Sequence, residues 1–467
     1  MTASVSRRPS IKLNPPIGLP PNSRGSKELL ALVEALEEGL RAADPSEIIR
    51  RAVSYRGSNL SAGPVRLNLS NFERVIVIGG GKASGKMAFQ VERMLKGKIT
   101  SGLVNIPRGA PRPHLDRILL LEAGHPLPSH EGQRGVRRML GVVGKPAKRD
   151  LIICLISGGG SSLMAMPTKG ISLHDLRETT DLLLKSGADI VEINAVRKHL
   201  SEVAGGRLAE KLFPAFVLAL IISDVVGDDV DVVASGPTAP DSTTYLDARG
   251  MLQRYSLWGR IPRSVHRRIS DGVEGVASET PKAGSVVFNS VRNVVIGGNE
   301  QSCLAVAAKL KERGYLAMVL STRIRGEAKE IGRLFGDLSR EMLEHNIPLR
   351  PPACIVAGGE TTVTMAGSGC GGRNQELVLA AALALERTSH CYVVSIGSDG
   401  IDGTTSAAGA LVSSSTVREA RARGLEPEKF LRDHNSNAFF KKMGGLLFTG
   451  HTGTNVNDFM IAMATDS

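Results

Sequence analysis

Cysteine is scarce in this chain, with five residues in 467 and no Cys-x-x-Cys pair. That pattern excludes a zinc ribbon and a disulfide framework, and it predicts a reducing, cytoplasmic setting. Aromatic residues make up only 4% of the sequence and there is a single tryptophan, too few for a stacking surface that holds single-stranded nucleic acid. No dense lysine or arginine stripe occurs, so a nucleic-acid partner is not expected. The longest apolar run, residues 213–222, is about half of the ~20 residues that a membrane span needs. No secretory hydrophobic segment is present, so no membrane association is expected.

Glycine, by contrast, is abundant at 52 residues, beside 42% hydrophobic and 22% charged content. This is the composition of a globular α/β protein with many glycine turns around a ligand, and the length calls for two domains. The formal charge is +12. Residues 1–26 hold Arg7, Arg8, Lys12 and Arg24 and no acid, and they read as a disordered basic tail. The remaining mild excess of positive charge suits anionic small substrates.

Leu29, Leu32, Leu36 and Leu40 recur at helical spacing, predicting an amphipathic helix over 27–42. Asp44-Pro45-Ser46-Glu47 supplies an N-cap acid, a proline at the first position and an early glutamate, the opening of a second helix. Short apolar runs at 75–78, 103–106, 118–121, 151–156 and 217–222 then alternate with helical stretches, which predicts a mostly parallel sheet covered on both faces. Residues 242–285 are irregular and read as the domain connection. A fresh β-α-β unit is expected from a strand at 294–296, a helix at 299–313 and a strand at 317–320, with further strands at 354–357 and 392–396. The expected division is a tail at 1–26, an amino-terminal domain at 27–285 and a carboxyl-terminal domain at 286–467.

The chemistry lies in loops that follow these strands. The run Gly79-Gly80-Gly81-Lys82-Ala83-Ser84-Gly85-Lys86-Met87 approaches the phosphate-loop pattern but places Met87 where Ser or Thr should meet magnesium. It also fails the dinucleotide fingerprint, because Ser84 takes the place of the third glycine. What remains is a glycine loop with Lys82 inside it at the carboxyl end of a strand, where ligands bind in open α/β sheets. A second such loop, Ser157-Gly158-Gly159-Gly160-Ser161-Ser162, offers backbone approach and hydroxyl donors for phosphates. Asp224 closely follows another strand and reads as a magnesium ligand or a partner for a substrate hydroxyl, whereas Asp228, Asp229 and Asp231 read as a solvated turn.

In the second half, Gly358-Gly359-Glu360 and a flexible glycine turn lead into Gly371-Gly372-Arg373-Asn374-Gln375-Glu376, which opens an Ala/Leu-rich helix. The exposed N–H groups of that helix start, with Arg373 beside them, predict a site for a phosphate or carboxylate. Asp399 and Asp402 follow the 392–396 strand, and Thr452-Gly453-Thr454-Asn455 forms a late polar loop. His125, His199 and His451 lack metal-type partners at suitable spacing and read as structural.

Taken together these segments, with Gly124-His-Pro-Leu-Pro, Asn194-Ala-Val-Arg-Lys-His-Leu-Ser and Ala234-Ser-Gly-Pro-Thr, resemble the glycerate 2-kinases of the MOFRL family, also called class II glycerate kinases. The resemblance runs through nearly the whole chain after the tail. Ala204 stands where the family pattern has lysine, and Val226 where it has proline. The resemblance implies a Rossmann-like, doubly wound amino-terminal domain, a smaller α/β MOFRL domain and an active-site cleft between them. It implies transfer of phosphate from ATP to the 2-hydroxyl of D-glycerate with Mg2+ or another divalent cation, in a monomer or homodimer. On this reading Lys82, Arg373 and Asp224 are catalytic, and Gly79, Gly80, Gly81, Ser157, Gly158, Gly159, Gly160 and Ser161 hold ATP phosphates. Glu360, Asn374 and Asn455 contact substrate, and Asp224 and Asp399 hold the metal. Two alternatives use the same loops: a hydroxypyruvate reductase using NAD(P)H, and a non-catalytic sensor of phosphosugars or nucleotides.

Overall fold

The computed structural model describes residues 10–14, 24–365 and 367–466. The chain divides into two compact units, residues 45–297 and residues 1–44 with 298–467.

The unit 45–297 is built on six parallel strands. In chain order these are β5 (Arg74–Gly80), β6 (Ser101–Pro107), β7 (Ile118–Ala123), β8 (Asp150–Ser157), β9 (Phe216–Ile222) and β10 (Val291–Gly297). They follow a short helix, Pro45–Ala52, and a small antiparallel sheet of β2 (Val53–Arg56), β3 (Asn59–Ala62) and β4 (Val65–Asn68). The strands of the main sheet lie in the order β10-β9-β8-β5-β6-β7, and every neighbouring pair is parallel. Renumbered by succession within the sheet, this is the doubly wound order 3-2-1-4-5-6, whose direction reverses between β5 and β8. The runs are apolar at nearly every position because both sheet faces are covered. On one face Ile76, Ile78, Ile152, Cys154, Ile156, Val217, Ala219 and Ile221, spaced two apart along each strand, pack with Val136, Met139 and Val143 of the helix His130–Val143.

Each of the five expected strands in this half is present, one to three residues longer than the apolar run that announced it. The strand around 294–296 corrects the expected boundary. Instead of opening the second unit, β10 pairs in parallel with β9 and closes the edge of the first sheet.

The other unit carries a mixed sheet of seven strands in the order β1-β15-β14-β13-β16-β12-β11. Their ranges are β1 (Lys12–Leu13), β11 (Leu316–Ile324), β12 (Ala353–Gly359), β13 (Cys391–Gly397), β14 (Gly409–Ser413), β15 (Leu446–Phe448) and β16 (Asp458–Ala464). Only β11 and β12 are parallel. Phe335 and Met342 of the helix Ala328–His345 and Leu377, Val378 and Ala381 of the helix Arg373–Ala384 fill its core with Ile355, Val393, Met460 and Ala462.

The amphipathic helix expected at 27–42 forms as Arg24–Ala42, with Leu29, Leu32, Leu36 and Leu40 buried. It belongs with the carboxyl-terminal part of the chain. Glu34 pairs with Arg313, and Gly39 lies close to Val306 and Phe459. Part of the expected disordered tail is ordered as well: Lys12 and Leu13 pair with Phe448 and Leu447, and the Ile11 N–H donates to Glu37 Oε1 at 2.8 Å. Residues 1–9 and 15–23 of that tail lie outside the described residues.

Candidate active site

In the unit 45–297 the two glycine loops leave β5 and β8, the adjacent strands at which the sheet order reverses. A crevice beyond the carboxyl ends of such strands is the usual ligand site of a doubly wound sheet. The loops are tied together by their backbones. The Lys82 N–H donates to the Gly158 carbonyl at 2.8 Å, and the Ala83 N–H donates to Ser157 Oγ at 3.0 Å. Ser157 is buried and its oxygen serves this tie. It joins the loops, whereas the sequence reading put it on ATP phosphates.

Glycine is required here because other groups press against the loop. A methyl group on Gly158 would fall 1.9 Å from Asp224 Oδ2. One on Gly159, where φ is +79°, would fall 2.8 Å from His125 Nε2 and 3.3 Å from Lys82 Cγ. The fold therefore gathers Lys82, His125 and Asp224, from three different strand ends, around Gly158 and Gly159. Gly79, Gly80 and Gly81 line the same turn, and Gly160 is buried against Ala234. His125 was read as structural. It is exposed beside the loop, and the signal that pointed to it was its place in Gly124-His-Pro-Leu-Pro just after β7. Of the neighbouring acids, Asp231 pairs with Lys198 at 3.3 Å, and Asp228 and Asp229 lie in the turn as expected.

In the other unit, Arg373 opens the helix Arg373–Ala384 and is held by two carboxylates. Its Nε and Nη2 donate to the two oxygens of Asp458 at 2.6 and 2.9 Å, and Nη1 donates to Glu360 Oε1 at 2.7 Å. Burial alone would lower the guanidinium pKa, but Asp458 and Glu360 outweigh it and hold the group above its ordinary value. Burial likewise pushes Asp458 up to about 6 against the opposing pull of Arg373. A guanidinium has five N–H donors, so two remain after these three bonds.

The helix start itself departs from the expectation. Its Asn374 and Gln375 N–H groups donate to Asp402 Oδ1 and Oδ2 at 3.0 and 2.9 Å. Asp402 also accepts from both of their side-chain amides. The predicted anion site at the helix N-terminus is thus filled by the protein's own buried carboxylate. Asn374 is buried in this network and also accepts from Ser395, so its amide is committed to the protein. Asn455 accepts from the Asn457 N–H at 3.1 Å, and Asp399 Oδ1 accepts from the Ile401 N–H at 3.2 Å. Asp399 and Asp458 both approach Gly397: a methyl there would lie 3.4 Å from Asp458 Oδ1 and 3.5 Å from Asp399 Oδ1.

Asp224 and Asp399 offer hard oxygen donors of the kind that hold magnesium alongside nucleotide phosphates. Among the described residues neither belongs to a trio of side chains close enough to cage an ion. The one such trio, His174, Asp175 and Glu178, stands at the start of the helix Leu173–Lys185.

Two family models match this chain: a domain of unknown function (DUF4147) over residues 31–270, and the MOFRL family over residues 353–458. The chain is a member of the MOFRL family. A glycerate 2-kinase of Pyrococcus horikoshii is 42% identical over 92% of this chain and 95% of its own length. A D-glycerate 2-kinase of Thermotoga maritima is 42% identical over 84% of this chain and 91% of its own. The crystal structure of glycerate kinase from Thermotoga maritima superposes with a TM-score of 0.82 at 39% identity, covering 95% of this chain and all of that one. The matched models place Lys82, the Ser157–Ser161 loop and Asp224 within the first segment, and Arg373, Asn374, Asp399, Asn455 and Asp458 within the MOFRL segment.

Proposed function

We propose that this MOFRL protein is a D-glycerate 2-kinase, transferring the γ-phosphoryl group of ATP to the 2-hydroxyl of D-glycerate to give 2-phosphoglycerate and ADP. The observation that carries the reading is the gathering of Lys82, Asp224 and two glycine loops at the switch point of the doubly wound sheet, in a chain 42% identical to relatives named for this activity.

Phosphoryl transfer asks the protein for positive charge, open backbone N–H groups and in-line placement of the attacking hydroxyl. Lys82 supplies the charge toward the moving phosphoryl group. The Gly158–Ser161 stretch, free of bulky side chains, admits phosphate oxygens to the backbone. Asp224 orients the 2-hydroxyl and takes its proton as the new O–P bond forms and the bond to the ADP oxygen breaks. The two remaining donors of Arg373 are suited to a bidentate grip on a substrate oxyanion. Asp458 and Glu360 hold that arginine in one pose. A divalent cation, when bound, would neutralise phosphate charge, with Asp224 as the residue beside the glycine loops that would hold it.

A reductase reading receives no support from the β5 loop, where Ser84 replaces the third glycine of a dinucleotide fingerprint and its hydroxyl bonds the Leu155 carbonyl at 3.1 Å. A direct test incubates the purified protein with ATP, magnesium and D-glycerate, following ADP release, and separately with hydroxypyruvate and NADH. ADP release that depends on D-glycerate, with NADH unconsumed, is expected. NADH oxidation without ADP release would overturn the proposal.

A further inference from the structure

The helix Ile190–His199 ends in three consecutive basic residues, Arg197, Lys198 and His199. Two of them are satisfied. Lys198 pairs with Asp241 at 3.2 Å and Asp231 at 3.3 Å, and His199 Nε2 meets Glu279 Oε1 at 2.7 Å. Arg197 is different: it is partly buried, and among the described residues it has no ion pair and no hydrogen-bond acceptor for its guanidinium. Burial pulls its pKa down to about 10, leaving it still charged at neutral pH. A guanidinium partly withdrawn from water, with no acceptor of its own among the described residues, has all its N–H donors to offer a ligand.

The surroundings of Arg197 point the same way. It lines a cavity of about 20 Å³ with Gly160 and Ser161 of the second glycine loop, Ser201, Ala204 and Ser235. Ser201 Oγ accepts from the Val203 and Ala204 N–H groups at 3.2 and 3.1 Å, and among the described residues its own O–H has no acceptor. Ser235 donates to Asn194 Oδ1 at 2.9 Å, so the 2.8 Å contact between Ser161 and Ser235 is donated by Ser161. The cavity thus holds an unspent cation and an unspent hydroxyl donor, and no acid lines it. It has room for about one water-sized group. That fits the end of a small carboxylate and not a polyphosphate.

We infer that Arg197, with Ser201, binds the carboxylate of the acceptor substrate, and so sets the enzyme's preference for a hydroxy acid over a neutral polyol. This rests on the glycerate kinase reading. The test compares the full-length wild type with Arg197→Met and Arg197→Lys, measuring steady-state kinetics, D-glycerate binding by titration calorimetry, and Tm. Arg197→Met should weaken D-glycerate, in KM and in calorimetric Kd, by about 10- to 100-fold, as expected for loss of a charge-assisted bond. KM for ATP should stay within about twofold, Tm should stay within a few degrees because no ion pair or hydrogen bond of the guanidinium among the described residues is lost, and Arg197→Lys should recover part of the loss. Unchanged glycerate binding would overturn the inference. So would a rise in KM for ATP alone, which would mark a nucleotide phosphate as the partner, or a fall in Tm with equal loss for both substrates, which would mark a structural role. Calorimetry judges the inference even in a wild type that releases no ADP, an outcome that would overturn the kinase reading instead.

Discussion

The two units present their cations in opposite ways. In the unit 45–297, Lys82 sits against a loop of glycines with one carboxylate, Asp224, packed on the neighbouring residue. In the other unit, Arg373 is clasped by Asp458 and Glu360, and the helix start beside it is occupied by Asp402. A glycine run leading to a basic residue looks alike in both stretches of sequence. The first run brings Lys82, His125 and Asp224 together around its glycines, whereas the second leads to a helix start taken by the protein's own acid. The difference teaches that a helix start is an anion site only when no internal carboxylate has reached it first.

The sharpest way to break this comparison is to remove the cations. Lys82→Ala should lower kcat by about 10³-fold, the scale of losing a preorganised charge at a transition state, while Tm stays within a few degrees. Steady-state assay with thermal unfolding checks both. A mutant with near-normal turnover would remove Lys82 from the chemistry. Next in size is Gly158→Ala, whose methyl group must displace the Asp224 carboxylate. Displacement of a positioned group by about 1 Å can cost about 10²-fold, so turnover should fall by that order, and normal turnover would show that Asp224 does not need its present place.

On the other side of the comparison, Asp402→Ala should act on stability. It strands two backbone N–H groups and two side-chain amides in a buried site, at a cost of about 2–4 kcal/mol. Denaturant unfolding measures it, and a change below about 1 kcal/mol would mean that the helix start is open after all.

The smallest effect concerns pH. Asp458 has its pKa raised by burial to about 6, above the 3.8 of an ordinary aspartate. The folded form then holds a proton that the unfolded chain has released, so this group's contribution to stability is present below about 4 and is lost as pH rises through about 6. Activity should run the other way: protonated Asp458 gives up half of its bidentate bond to Arg373, and kcat should decline severalfold on the acid side of about 6. Asp458→Asn should lack that limb in the pH profile, and an unchanged profile would separate Arg373 from the pH response.

The sequence was informative about the parallel sheet because its strands are buried on both faces and announce themselves as continuous apolar runs. The loops that follow β5, β8 and β9 were therefore placed correctly, and with them Lys82, Gly158 and Asp224. Long-range pairing was not legible. Nothing local distinguishes β10 as the edge of the first sheet from a strand opening the second, and two residues, Lys12 and Leu13, carry no periodicity to reveal β1. The approach of His125 to Gly159 was not legible, because the chain reaches Gly159 only after β8. Asp402 was visible as an acid just past the 392–396 strand, but its partners at the helix start lie tens of residues away in sequence, and so does Arg373 from Asp458.

The central claim, that the loops at the switch point carry phosphoryl transfer to a hydroxy acid, is tested most directly by phosphorus NMR of the products from ATP, magnesium and D-glycerate, with wild type and Lys82→Ala side by side. The account predicts a 2-phosphoglycerate signal from the wild type and almost none from the mutant. No phosphorylated glycerate from the wild type, or an equal signal from both proteins, would contradict it.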